Sequence, residues 1–142
     1  MRRSLVVLTA IAAAGAIAPP AASAAPGCSA PSGLTWHSCL SAGHRKVLQT
    51  DNVRLTKATA VLVVRMSACP VDLPSRRVVI RTDKRKRIAR ERVDGTCRHN
   101  VARWRLKVKP NRDFPAGTVI HSYWSGIDDS DDAPSVKLGK KS

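Results

Sequence analysis

Between Arg76 and Arg112 the sequence sets fifteen lysines and arginines against three acids, Asp83, Glu91 and Asp94. Guanidinium groups meet phosphate and carboxylate in bidentate geometry, so an arginine-rich surface favours polyanions. The candidate contact residues are Arg77, Arg81, Arg90, Arg92, Arg103, Arg105, Lys107 and Lys109. If their strands share a sheet face, they form one continuous cationic surface. A run of charge is ordinarily a solvated face. Here, however, most of a net charge of +15 is concentrated in one segment, which tilts the reading towards binding.

Other chemistry is less well supported. His99 and His121 lie near the cationic strands with Glu91, and a small nuclease could use two histidines as general base and acid beside an arginine. No spacing pattern links them, or links either to His37 and His44. The chain has no Gly-x-Ser-x-Gly elbow, His-Glu-x-x-His pair or phosphate loop. We therefore expect no catalytic residues and no cofactor. Asp128, Ser130 and Asp132 alternate as calcium ligands would, but Ala133 and Gly139 occupy the places of the loop glycine and the bidentate glutamate. Residues 128–132 are read as a solvated acidic loop, and no metal site is expected. Aromatic residues are 4% of the chain, and Trp104 alternates towards the core. With no stacking platform, sequence-specific nucleic-acid binding is not expected, and any DNA binding would be nonspecific and salt-dependent.

The four cysteines, Cys28, Cys39, Cys69 and Cys97, read as two disulfides with three possible pairings. Cys28–Cys39 and Cys69–Cys97 are preferred; zinc is disfavoured because no two cysteines lie two to four residues apart. In Cys69-Pro70-Val71-Asp72-Leu73-Pro74, a disulfide and two prolines would pre-organise a loop. Its ordinary reading is a constrained connection between strands; its alternative is the binding loop of a protease inhibitor.

The elements that position these residues begin with a leader. Arg2-Arg3, an uncharged apolar run from Leu5 to Ala18, and Ala22-Ser23-Ala24 predict a cleaved secretory signal over residues 1–24. Its removal leaves 118 residues at +13, with no transmembrane segment expected after cleavage. That places the mature chain in an extracellular, disulfide-permissive setting. It also cancels a nuclear-import reading of Lys84-Arg85-Lys86-Arg87. Residues 25–34 read as an extended lead-in, 35–139 as one β-sandwich domain and 140–142 as a basic tail.

Within the domain the pattern is that of strands. Ala102, Trp104, Leu106 and Val108 alternate with Arg103, Arg105, Lys107 and Lys109, which demands a strand with one apolar and one cationic face. Further strands are expected over 46–50, 53–56, 58–66, 77–82, 118–124 and 135–138. The run Val61-Leu62-Val63-Val64 suits a central strand covered on both faces. Residues 85–93 are read as a polar edge strand, Asp94-Gly95 as a hairpin turn, and Phe114 to Gly117 as a connection. About seven short strands with regular turn signals predict an all-β, disulfide-stapled sandwich. The spacing, with a tryptophan in a strand and a cysteine pair, generically resembles immunoglobulin-like domains.

These readings converge on a secreted, strongly basic, non-catalytic protein that associates with anionic extracellular or cell-envelope polymers through an arginine-rich sheet face. The alternatives are a secreted protease inhibitor or antimicrobial effector, and a small secreted nuclease.

Overall fold

The computed structural model describes residues 27–29, 36–127 and 133–139. The leader, most of the lead-in, the acidic loop 128–132 and the tail 140–142 lie outside the described residues. Ten strands are described, and no helix: β1 (Cys28–Ser29), β2 (Trp36–Lys46), β3 (Asn52–Arg65), β4 (Arg76–Thr82), β5 (Arg87–Val93), β6 (Gly95–Arg98), β7 (Val101–Val108), β8 (Arg112–Pro115), β9 (Val119–Trp124) and β10 (Ser135–Lys137). They form two antiparallel sheets. The first runs β1-β2-β3-β7-β6, with β8 also paired to β3; the second runs β10-β9-β4-β5.

Period-two alternation turns one face of each strand inward. Leu40, Leu55, Leu62, Trp104 and Leu106 from the first sheet meet Val78, Ile80, Ile120 and Trp124 from the second in one core. Ala58, Ala60 and Ala102 lie among them, so large and small side chains interdigitate. Trp104 is completely buried, as its alternation requires, and its indole Nε1–H donates to the Pro74 carbonyl at 3.0 Å. Both predicted disulfides are present. Cys28–Cys39 staples β1 to β2, and Cys69–Cys97 ties the β3–β4 connection to β6.

Ten strands replace the expected seven because several are short or lack an apolar signature. The sequence pattern does not announce β2: its inward positions are Trp36, Ser38, Leu40 and Ala42, only two of them large, and Ser38 is fully buried. The strand expected over 46–50 is instead the β2–β3 turn, where Gln49 has positive φ and Val47 N–H bonds the Asn52 carbonyl. Residues 52–65 form one continuous strand rather than two. Asp94-Gly95 is not a hairpin turn, since Gly95 opens β6 and the chain changes sheets there. The reversal comes at His99-Asn100, both at positive φ, as a tight β6–β7 hairpin requires. Phe114 and Pro115 belong to β8, paired with Asn52 and Val53. β3 is central in its sheet, but among the described residues no second layer covers its outer face. Val63 is nonetheless only 8% exposed there, in register with Arg103 on one side and His37 on the other.

Candidate polyanion-binding surface

The register assigns each predicted cation to a face. In β4, Val78, Ile80 and Thr82 point inward, so Arg77, Val79 and Arg81 point out. Across the pair, Arg77 faces Arg92, Val79 faces Arg90, and Arg81 faces Arg87. The last match depends on a bulge between Ile80 and Arg81: it sends both Ile88 and Ala89 against the core and returns Arg87 to the outside. On the other flank, Arg81 faces His121 and Val79 faces Tyr123. Beyond them, Lys137 on β10 lies opposite Val119.

Five arginines therefore share the outer face of the second sheet, in two adjacent rows. Alternate residues along a strand are about 6.8 Å apart and directly opposed Cβ atoms about 5 Å. The Arg81 guanidinium lies 4.2 Å from the Tyr123 ring centroid, a cation–π contact that orients it. The Arg92 guanidinium donates to Ser75 Oγ at 3.2 Å. No acidic residue faces outward from these four strands: Glu91 sits opposite the inward Val78. Among the described residues the ion pair is Arg54–Asp113, so none of these five arginines is neutralised by a carboxylate. The loop joining β4 to β5 extends the surface with exposed Lys84, Arg85 and Lys86. That loop is closed by Thr82, whose Oγ1 accepts from Lys86 N–H and whose carbonyl accepts from Arg85 N–H.

Arg103, Arg105 and Lys107 lie on the outer face of the first sheet, across the sandwich from Arg77, Arg81, Arg90 and Arg92. Lys109 lies just past the end of β7. The eight predicted cations do not share one face, because the chain passes between sheets at Asp94. The two faces also differ in kind. Arg103, Arg105 and Lys107 face Val63, Val61 and Thr59 on β3, so no cation of that strand stands directly across from them, although exposed Arg65 and Arg98 flank the end of the row opposite Val101. The same sheet carries Asp113, which takes Arg54 Nε–H at 2.6 Å and Nη2–H at 3.2 Å. Those hydrogen bonds hold the Asp113 carboxyl below the usual carboxylate range, and the nearby Arg45 charge acts in the same direction.

Sequence reasoning misses Arg87 and Lys137. The bulge that reorients Arg87 has no local signature, and Lys137 occupies a three-residue strand. Arg76, which opens the basic run, is not part of the open surface. It is half-buried, with its guanidinium 4.8 Å from the Trp104 ring centroid and Nη1 donating to the Ser125 carbonyl at 3.4 Å. The candidate nuclease residues do not assemble. His99 sits in the β6–β7 turn of the first sheet, whereas His121 is on the outer face of the second and Glu91 on its edge strand.

What the fold and this surface define is a small all-β sandwich, stapled by two disulfides and cationic on both outer faces. Two disulfides suit an extracellular location. The chain matches no protein-family model, no curated protein and no solved structure.

Proposed function

We propose that this chain is a secreted, non-catalytic protein that binds anionic extracellular or cell-envelope polymers through the outer face of its second sheet. The contact residues in this reading are Arg77, Arg81, Arg87, Arg90 and Arg92, with Lys137 at the margin. Its fold is immunoglobulin-like in broad architecture, with two sheets over a tryptophan-containing core, although neither disulfide joins a strand of one sheet to a strand of the other.

One observation carries the reading: Arg77–Arg92 and Arg81–Arg87 stand in direct cross-strand register with no outward acid among them. Like charges directly opposite each other destabilise a sheet by a few tenths to about 1 kcal/mol per pair. A face built only for solubility would intersperse both signs. A polymer of phosphates, sulfates or carboxylates would convert that repulsion into charge-assisted hydrogen bonds. The row on β7 offers a weaker second contact, because its cations lack cationic partners across the strand.

The test is retention on heparin and on phosphocellulose over a salt gradient, against an unrelated protein of equal net charge. The native chain should elute later than that control. Retention equal to the control would reduce the arginine face to bulk charge and overturn the reading.

A further inference from the structure

The connection from Met66 to Ser75 differs from the rest of the surface. In a chain of net charge +15 it contains no lysine or arginine, and Asp72 is its one charged residue. Its apex is apolar. Val71 is 101% exposed, so its isopropyl group contributes nothing to the core. Among the described residues the other large exposed apolar side chain, Leu48, lies in the β2–β3 turn, which has no cross-link of its own.

Both sides of the Val71 apex are fastened. On the N-terminal side the Cys69–Cys97 disulfide ties the loop to β6. On the C-terminal side Leu73 packs against the core, and the Pro74 carbonyl accepts from the buried Trp104 indole at 3.0 Å. Gly95 makes this seat possible: a Cβ there would collide with Leu73 Cδ2 and lie 2.6 Å from Trp104. Pro70 and Pro74 restrict φ, and no residue from Met66 to Arg76 has positive φ. The result is a segment fastened on both sides that exposes the Val71 side chain, with Val71 and Asp72 both open to solvent.

We propose that Pro70-Val71-Asp72 docks in the active-site cleft of a serine endopeptidase whose primary specificity pocket takes a small aliphatic side chain. Val71 is the anchor and Val71–Asp72 the bond presented to the nucleophile. Rigid loops bind with little ordering cost, and a single buried anchor dominates such contacts. Attack by the enzyme's serine on the Val71 carbonyl would release the Asp72 amine and form an acyl-enzyme. The amine stays beside the ester because Leu73 and Pro74 hold it, while Cys69 holds the acyl side. Its return to the acyl carbon re-forms the peptide bond and frees the serine, with no net consumption of water. Hydrolysis, which adds one water across the bond, competes poorly with a tethered amine. The loop therefore acts as an inhibitor rather than a substrate. Pro70, Val71 and Asp72 are not among the residues of the arginine face, although the connection meets that face at its end, where Arg92 bonds Ser75 Oγ.

The experiment titrates elastase-type and chymotrypsin-type enzymes with the full disulfide-bonded chain in about 0.5 M NaCl, where charge-driven adsorption is suppressed. Residual activity is read on a small chromogenic substrate, and cleavage of the chain is read by mass spectrometry. The elastase-type enzyme should be inhibited, with any cut confined to Val71–Asp72. Val71→Gly should weaken inhibition on the order of 30-fold or more, as for loss of an anchor residue. Val71→Phe should move inhibition to the chymotrypsin-type enzyme, and Leu73→Ala should turn the loop into a faster-cleaved substrate. Val71 touches nothing in the fold, so its variants test the contact and not the stability. Absence of inhibition by the native chain, inhibition unchanged in Val71→Gly, or first cleavage elsewhere would overturn the proposal.

Discussion

Reversing one charge in the arginine face should make the unliganded protein more stable. Arg77 and Arg92 are directly opposed on the outer face of β4 and β5, and both are exposed. With guanidinium heads splayed to about 8 Å, two like charges in water cost about 0.5 kcal/mol. Arg77→Glu turns that repulsion into attraction, a swing of about 1 kcal/mol at ~10 mM salt. A Debye length near 8 Å at physiological salt cuts the swing to about a third. For a domain of this size the Tm should rise by about 4–6 °C at low salt and about 2 °C at physiological salt. Thermal unfolding followed by circular dichroism, in a zwitterionic buffer without polyanions, reads both values. The same substitution should weaken polyanion binding, so stability and binding move in opposite directions. A Tm that falls, or that shifts equally at both salt concentrations, would refute the view that these arginines repel one another in the free protein.

Three further outcomes follow from the fold. Arg54 holds the Asp113 carboxyl below its ordinary range, so the contact adds stability above the ordinary carboxylate pKa and loses it as the pH falls through the lowered value. Asp113→Asn should therefore lower the Tm at neutral pH, with the gap to the native chain closing in acid below about pH 4; a constant gap would contradict this. Gly95→Ala forces a methyl into Leu73 and Trp104 and should cost roughly 1–3 kcal/mol in urea unfolding, with a change in the near-ultraviolet tryptophan signal. Replacing Cys69 and Cys97 together by serine opens a loop of 28-residue separation. Chain-entropy reasoning gives a loss of roughly 3–4 kcal/mol, and a loss below about 1 kcal/mol would show that the bridge does not constrain the unfolded chain.

Alternation is legible where inward residues are large. Val101 to Lys109 reads directly as β7, with Trp104 buried and Arg103, Arg105 and Lys107 outside. It fails at β2, where Ser38 and Ala42 occupy inward positions and the burial stripe does not look apolar. The preferred cysteine pairing is also legible: Cys28–Cys39 spans the paired strands β1 and β2, whereas Cys69–Cys97 ties the β3–β4 connection to β6 without strand pairing between them. The arginine surface is only half legible. Local periodicity tells which side of its own strand a residue occupies, but not which sheet the strand enters. Arg90 and Arg103 both alternate outward, and the sheet change at Asp94 sends them to opposite sides of the sandwich. The opposed pairs Arg77–Arg92 and Arg81–Arg87 depend on a register and a bulge that only long-range pairing defines.

The most direct test of the arginine face compares two triple variants that remove equal charge from opposite sides: Arg77→Gln, Arg90→Gln and Arg92→Gln on the second sheet, and Arg103→Gln, Arg105→Gln and Lys107→Gln on the first. Affinity for a fluorescent polyphosphate is measured from about 50 to about 300 mM salt, and log K is plotted against log salt. Removing one cation–anion pair lowers the slope by about 0.7–0.9, so the second-sheet variant should give up about 2–3 units of slope and the first-sheet variant less than about 1. Equal reductions in both variants, or a slope unchanged in the second-sheet variant, would contradict a binding site on the outer face of β4 and β5.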